Sequence, residues 1–106
     1  MTELNEKLAK WVGFTKITAE GGWNWPDGKR MIHPPDFCNS LDACFKWLVP
    51  KLIEKDCDIT IALGANGDID IYIWTPLGER FEENNQFPDD TLTSLLCKAI
   101  EKVLDA

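Results

Sequence analysis

The only histidine in this 106-residue chain, His33, is its one conventional general base near neutral pH. Asp36 follows three residues later, and Cys38 is the nearest thiol. A Cys–His nucleophile pair would need the imidazole to activate that thiol, but the spacing matches no recognisable catalytic motif. We therefore interpret His33 as a turn residue that is hydrogen-bonded or hydrated. The sequence predicts no catalytic residue and a protein that is not an enzyme.

The chain has four cysteines but no C-x-x-C pair: Cys38, Cys44, Cys57 and Cys97. A zinc site would need nearly all of these thiols from widely separated segments. We expect reduced, partly buried cysteines that pack as small hydrophobic residues. The acidic pairs Asp68/Asp70 and Glu82/Glu83 are explained by solvation of a hairpin end and of a loop. The sequence therefore predicts neither a metal site nor a cofactor.

Two tryptophans, Trp23 and Trp25, flank Asn24 and lie close in sequence to Arg30 and His33. If residues 22–25 form a strand, both indoles point to the same side of it. A flat ligand could then stack on the rings while Arg30 holds an anionic group. This pattern suggests a site for a small aromatic or nucleotide-like molecule at Trp23, Trp25, Arg30 and His33. The interpretation that we prefer is structural, with the rings covering the open edge of a small core.

The charge balance disfavours anionic partners, since 11 Lys and Arg residues face 18 Asp and Glu residues, a net charge of −7. Long-range attraction to nucleic-acid phosphates or to anionic lipid is therefore weak, and direct nucleic-acid binding is not expected. No apolar run approaches the roughly 18 residues that span a bilayer, and the N-terminal MTELNEKLAK has no signal-peptide core. These features predict one cytoplasmic domain over residues 1–106.

The segment from Cys57 to Thr75, CDITIALGANGDIDIYIWT, predicts a β-hairpin at the centre of the fold. Two alternating runs rich in Ile flank Asn66-Gly67, the strongest short-range hairpin signal. Because side chains alternate along a strand, the length of this turn decides which residues share a face.

Two registers are compatible with this turn. A two-residue turn pairs Ile61 with Tyr72 and leaves both faces largely apolar. A three-residue loop with Gly67 in the left-handed conformation pairs Ile61 with Ile71 and places the aliphatic residues on one face. We favour the three-residue loop, because it leaves only Tyr72 and Trp74 as large apolar groups on the polar face.

Three segments have the 3.6-residue period of amphipathic helices, namely 2–12, 41–55 and 91–104. Gly13 stands where a left-handed C-cap is expected, and Ser40 can accept the first N–H groups of the second helix. Each helix should bury one apolar stripe.

Other segments read as short strands or loops. Strands at about 22–25 and 29–32 flank the turn at residues 26–28, which has the sequence Pro-Asp-Gly. Pro50 interrupts the second helical pattern and predicts a kink or a restart near it. The acidic segment Pro76–Asp90 is predicted to be a solvated loop.

The predicted order is α-β-β-α-β-β-α, without the βαβ alternation of a parallel sheet. Runs of hairpins between helices are typical of an α+β fold. We therefore expect an antiparallel β-sheet of three to four strands packed by three helices.

Three short motifs together resemble the phage ABA sandwich domain family, small proteins of phages and prophages. They are LAKWVGF at 8–14, PPDFCNS at 34–40 and LCKAI at 96–100. The resemblance implies an α-β-α sandwich in a bacterial host cytoplasm, with no established activity and no catalytic residues to assign. It also implies that both sheet faces are covered, which agrees better with the two-residue turn than with the three-residue loop.

Two functional interpretations remain open at this point. The first is a non-enzymatic phage or prophage accessory protein that contacts a host or phage protein. The second is a binder of a small aromatic or nucleotide-like ligand through Trp23 and Trp25. Tyr72 and Trp74 form a candidate interaction surface, and a candidate homodimer patch if no helix covers their side of the sheet.

Overall fold

The chain folds into two three-stranded antiparallel sheets, with one helix between them in sequence and one at each end. The architecture comes from a computed structural model, which describes residues 3–17, 21–86 and 90–106. The first sheet consists of β1 (Thr15–Ile17), β2 (Gly22–Asn24) and β3 (Arg30–Met31). The second sheet consists of β4 (Asp58–Leu63), β5 (Ile69–Trp74) and β6 (Arg80–Asn84).

This arrangement confirms the predicted α+β class, with antiparallel strands and three helices. The described residues contain six strands, two more than the predicted order. The additional strands are β1 and β6, which lie at the outer ends of the predicted hairpins.

The first helix, Glu3–Val12, buries Leu8 and Ala9 in the core. It ends as predicted at Gly13, whose φ of +105° is readily adopted by glycine. The Phe14 N–H group donates to the Ala9 carbonyl at 3.0 Å, which closes the helix end. This end places the Phe14 ring directly in the core.

The second helix starts at the predicted cap, where the Ser40 hydroxyl accepts the Ala43 N–H group at 3.2 Å. It has three consecutive segments: α-helical Leu41–Ala43, π-helical Cys44–Leu48 and α-helical Val49–Glu54. The wider π turns accommodate Pro50, which lies in the first turn of the last segment, where its missing N–H group matters least. The irregularity predicted near Pro50 takes the form of this π-helical segment, and the chain does not stop and restart there, because Leu48 and Val49 both keep helical φ and ψ angles.

Three hairpins use the same loop chemistry, at residues 25–29, 64–68 and 75–79. In each loop the N–H group of the first residue donates to the carbonyl of the fifth at 2.8 Å. The fourth residue is a glycine with positive φ: Gly28 at +92°, Gly67 at +84° and Gly78 at +85°. These are three-residue loops with a left-handed glycine, so the register of each hairpin follows from a local preference.

The favoured register of the central hairpin is confirmed, since Ile61 pairs with Ile71 and Leu63 with Ile69. Ile71 and Ile73 are fully buried, whereas Trp74 on the opposite face of β5 is 43% exposed. The last helix packs against β5 and β6 on the buried side. The opposite side of this sheet faces solvent.

The prediction of a solvated loop throughout Pro76–Asp90 is wrong for β6, Arg80–Asn84. Thr75 and Glu79 close a hairpin loop over Pro76-Leu77-Gly78, and the chain then pairs antiparallel with β5. The charged residues of this segment obscured the strand, although its turn repeats the Pro-x-Gly spacing of residues 26–28. An edge strand with one solvated face accepts such charges.

The last helix, Leu92–Asp105, begins with a capping box in which Thr91 and Ser94 each accept the other's N–H group. Its predicted apolar stripe lies in the core. The largest fully buried side chains come from all three helices, from the segments beside them and from β5: Leu8, Phe14, Phe37, Leu48, Leu52, Ile71, Ile73, Leu95, Leu96 and Ile100.

Candidate functional site

The two predicted stacking residues belong to the packed interior rather than to a shared ligand site. Trp23 is only 3% exposed. The Trp25 ring makes edge-to-face contacts with Phe14, at 5.3 Å between centroids, and with Trp47, at 5.9 Å. Its Nε1 donates to the His33 carbonyl at 3.3 Å. The structural interpretation, in which the indoles cover the core, therefore accounts for both rings.

The two predicted polar residues of that site, Arg30 and His33, are exposed. Arg30 pairs with Asn24 across the first sheet and lines a shallow cavity of about 200 Å³. No indole belongs to that cavity lining, which consists of Ile17, Gly21, Gly22, Arg30, Met31 and Ile32. Within the described residues, the His33 imidazole makes no hydrogen bond or ion pair with a thiol or carboxylate.

Three of the four cysteines meet in the interior, although they are far apart in sequence. The Sγ atoms of Cys44 and Cys97 are 4.0 Å apart, and both residues are fully buried. A hydrogen bond from the Cys97 thiol lowers the pKa of the half-buried Cys38 thiol. Hydrogen bonds to Cys38 and Cys44, together with burial, raise the pKa of Cys97. Burial and the nearby Asp56 and Asp58 raise the pKa of Cys57.

We expect one thiol per folded chain, that of Cys38, to react promptly with a thiol reagent. The reaction should be at least about tenfold faster than that of the other three thiols, because only the accessible thiolate is nucleophilic. A lowered pKa populates the thiolate at lower pH, so the rate should reach its plateau at a lower pH than for a free cysteine. Ellman-type kinetics against pH provide the measurement.

Cys38→Ser should abolish this fast phase, and Cys57→Ser should leave it unchanged. Prompt labelling of three or four thiols in the native protein would contradict both the burial of these cysteines and their structural role.

The side of the second sheet opposite the last helix is exposed at Asp58, Thr60, Ala62, Trp74 and Arg80. We call it the open face; strand register assigns to it Asp58, Thr60, Ala62, Asp70, Tyr72, Trp74, Arg80, Glu82 and Asn84. At the end of this face, next to the turn between β5 and β6, the Arg80 guanidinium carbon lies 5.6 Å from the ring centroids of both Tyr72 and Trp74. Arg80 Nη2 is also 3.7 Å from Glu82 Oε2.

The predicted pair Tyr72 and Trp74 is thus brought together on one exposed face. Sequence reasoning missed their third member, Arg80, because it lies in β6, within the segment that the sequence predicts to be a solvated loop. The repeated Pro-x-Gly turn could have revealed it, since pairing from that turn places Arg80 beside Trp74.

A second uncovered surface lies at the free edge of β4. We call it the β4 groove; it has a volume of about 400 Å³ and is lined by Phe45, Val49, Ile53, Cys57, Asp58, Ile59 and Ile61. The apolar stripe of the second helix is partly buried and partly exposed at this groove. Its buried part includes Cys44, Leu48 and Leu52. Its exposed part includes Leu41, Phe45 and Ile53.

The chain matches no family model, no curated protein and no solved structure. Functional inference therefore depends on these two surfaces. The resemblance to the phage ABA sandwich domain family therefore stays a prediction. In the described ranges, no three His, Cys, Asp or Glu side chains converge in a way that could hold a metal ion. No described helix is both long and apolar enough to cross a membrane.

Proposed function

We propose that this protein is a non-enzymatic interaction module that binds a partner protein through the open face. The observation that carries the proposal is the stacking of Arg80 over Tyr72 and Trp74 on an uncovered sheet face. Tryptophan, tyrosine and arginine are the residue types that most often dominate protein–protein binding energy. The phage-family resemblance supports a role as an accessory protein in a bacterial host cytoplasm, with a host or phage protein as the partner.

The three side chains are already in contact in the free chain. Each ring is fixed on a paired strand, and the cation–π contacts with Arg80 limit the motion of all three groups. Side chains that are already ordered lose less conformational entropy on binding. A rigid sheet is therefore a better platform for recognition than a loop that carries the same residues.

The charge of the open face indicates the chemistry of the partner. Asp58, Asp70 and Glu82 surround the rings, with Arg80 as the one basic residue of the face. The whole chain carries a net charge of −7. Complementary charge steers association and suppresses wrong partners, so we propose a partner surface that is basic around an apolar centre.

Trp74→Ala tests this function. The purified chain is immobilised and exposed to bacterial host extract, and proteins retained by the wild type and by the variant are quantified by mass spectrometry. A retained protein is then purified and its affinity measured directly. We expect Trp74→Ala to weaken that affinity by roughly 30-fold or more, because it removes the most exposed aromatic ring of the open face. We also expect binding to weaken as salt is added.

Leu77→Ala is the matched control, because Leu77 is 87% exposed in the turn between β5 and β6, outside the open face. It should leave the affinity unchanged. Equal retention of the same protein by wild type and Trp74→Ala would refute the proposed surface. Absence of any specifically retained protein from a phage-permissive host would count against the function itself.

The alternative function, binding of a small aromatic or nucleotide-like ligand, has no observation in its favour. We expect tryptophan fluorescence to stay unchanged across a nucleotide panel, because Trp23 is buried and Trp25 is packed against Phe14 and Trp47. Saturable quenching that is lost in Trp25→Phe would favour the alternative.

A further inference from the structure

The two edges of the second sheet differ in their protection. Exposed β edges invite pairing with other chains, and proteins usually block them with charges, prolines or bulges. The β6 edge is blocked in this way: Lys102 Nζ donates to the Glu82 carbonyl at 2.7 Å and forms an ion pair with Glu83 at 3.0 Å. Arg80 adds a further charge to the same strand.

The β4 edge carries none of these devices. Residues 58–63 pair continuously with β5 without a bulge, and the strand contains no proline, no lysine and one charged residue, Asp58. The Gly64 N–H group donates to the Asp68 carbonyl, and hydrogen-bonded pairs alternate along an antiparallel ladder. The N–H and C=O groups of Ile59, Ile61 and Leu63 therefore point away from β5, along the free edge.

Exposed aliphatic and aromatic side chains lie beside this free edge. Leu63 is 68% exposed, Ile53 62%, and Phe45 48%. Phe45, Val49 and Ile53 follow one another at four-residue spacing along the second helix, and they form one ridge that lines the β4 groove together with Ile59 and Ile61. A strand added to β4 would place its inward side chains under this ridge.

We propose that the β4 edge is occupied by a second copy of this chain, paired antiparallel with Ile61 of each copy on the two-fold axis. This register sets Ile61 opposite its counterpart and Ile59 opposite Leu63. The three outward N–H groups then match the three outward carbonyls of the second copy, and two three-stranded sheets become one six-stranded sheet. An isologous contact of this kind is self-complementary and closes at two copies.

The same register keeps the two Asp58 carboxylates of the dimer apart. Asp58 lies opposite Gly64 of the second copy, so no carboxylate faces another across the ladder. The two Asp58 carboxylates are separated by six residues along the sheet, roughly 20 Å, which exceeds the Debye length of about 8 Å at physiological salt. The strand therefore tolerates pairing with itself although each chain carries a net charge of −7.

Pairing would also fill the β4 groove. Directly opposed residues of paired strands project to the same face of the sheet. Ile59, Ile61 and Leu63 of each copy would therefore lie beneath the Phe45 and Ile53 ridge of the other. This inference does not depend on the proposed function, and the dimer would join the two open faces into one continuous surface.

Sedimentation equilibrium and amide hydrogen exchange test the proposal with the full chain. We expect a particle of twice the 12.0 kDa chain mass as concentration approaches about 1 mM. The amide hydrogens of Ile59, Ile61 and Leu63 should become protected as the dimer forms. Added salt should strengthen the dimer by screening the repulsion between two acidic chains, the opposite of its effect on binding of a basic partner.

Leu63→Lys should weaken the dimer by at least about tenfold, since the two-fold axis introduces the charge twice into one interface. Leu77→Lys is the matched control, because it makes the same change at an exposed leucine outside the edge. Circular dichroism verifies that both variants fold. A particle of one chain at every concentration would overturn the proposal, as would a dimer that Leu63→Lys leaves intact and Trp74→Ala abolishes.

Discussion

Phe14→Ala should lower the free energy of unfolding by about 3–5 kcal/mol, the usual cost of removing a fully buried phenyl ring. Phe14 is 1% exposed and makes edge-to-face contacts with three rings. The centroid distances are 5.0 Å to Trp47, 5.3 Å to Trp25 and 5.9 Å to Phe37. Because these rings come from different segments of the chain, the cavity would lie where those segments meet and could not easily collapse.

Urea unfolding monitored by tryptophan fluorescence measures this loss. Phe45→Ala is the matched control, because it removes the same ring from a site that is 48% exposed. Its cost should stay below about 1 kcal/mol at protein concentrations low enough to keep the chain monomeric. If both substitutions cost the same, Phe14 would not be the centre of the aromatic cluster. Phe14→Leu, which keeps part of the volume, should give an intermediate loss.

Asn5→Ala should lower the free energy of unfolding by about 2–3 kcal/mol, because it removes a buried polar connection. Asn5 is 2% exposed, its Nδ2 donates to the Pro35 carbonyl at 2.9 Å, and its Oδ1 accepts the Phe37 N–H group at 2.7 Å. The residue thereby fastens the first helix to the segment that leads into the second. Alanine would leave the Pro35 carbonyl in the interior without this donor.

Asn39→Ala provides the matched comparison, since Asn39 is exposed and its Nδ2 donates to the Asp36 carboxylate. We expect a change within about 0.5 kcal/mol for that substitution. The same urea titration measures both variants. Equal losses at the two positions would mean that the buried amide of Asn5 contributes no more than a surface hydrogen bond.

Much of the local structure could be predicted because it depends on residues close in sequence. The Ser40 cap, the end of the first helix at Gly13 and the loop around Gly67 are each set by hydrogen bonds over three to five residues. Strand β6 could not be predicted in the same way, because the acidic composition of its segment is typical of a solvated loop although its turn has the same Pro-x-Gly spacing as residues 26–28. The resemblance-based expectation of two covered faces pointed to the other register, whereas the separation of apolar from polar residues pointed to the observed one.

The candidate surfaces could be predicted less completely than the local structure, because they depend on contacts between distant segments. Alternation placed Tyr72 and Trp74 on one face, but Arg80 joined them only through the pairing of β6 with β5. The second helix presented one apolar stripe, and only packing decided that Leu48 is buried while Phe45 stays half exposed.

The sequence by itself determined the helix ends, the hairpin register and the acidic character of this protein, because each follows from composition or from short-range hydrogen bonding and side-chain alternation. Tertiary structure alone decided that Cys44 and Cys97 lie in contact, that Trp23 is buried and that no described strand pairs with the outer edge of β4. These outcomes depend on contacts between residues far apart in the chain. The periodicity of a segment predicts which of its side chains are buried, but it does not predict which residues pack against them.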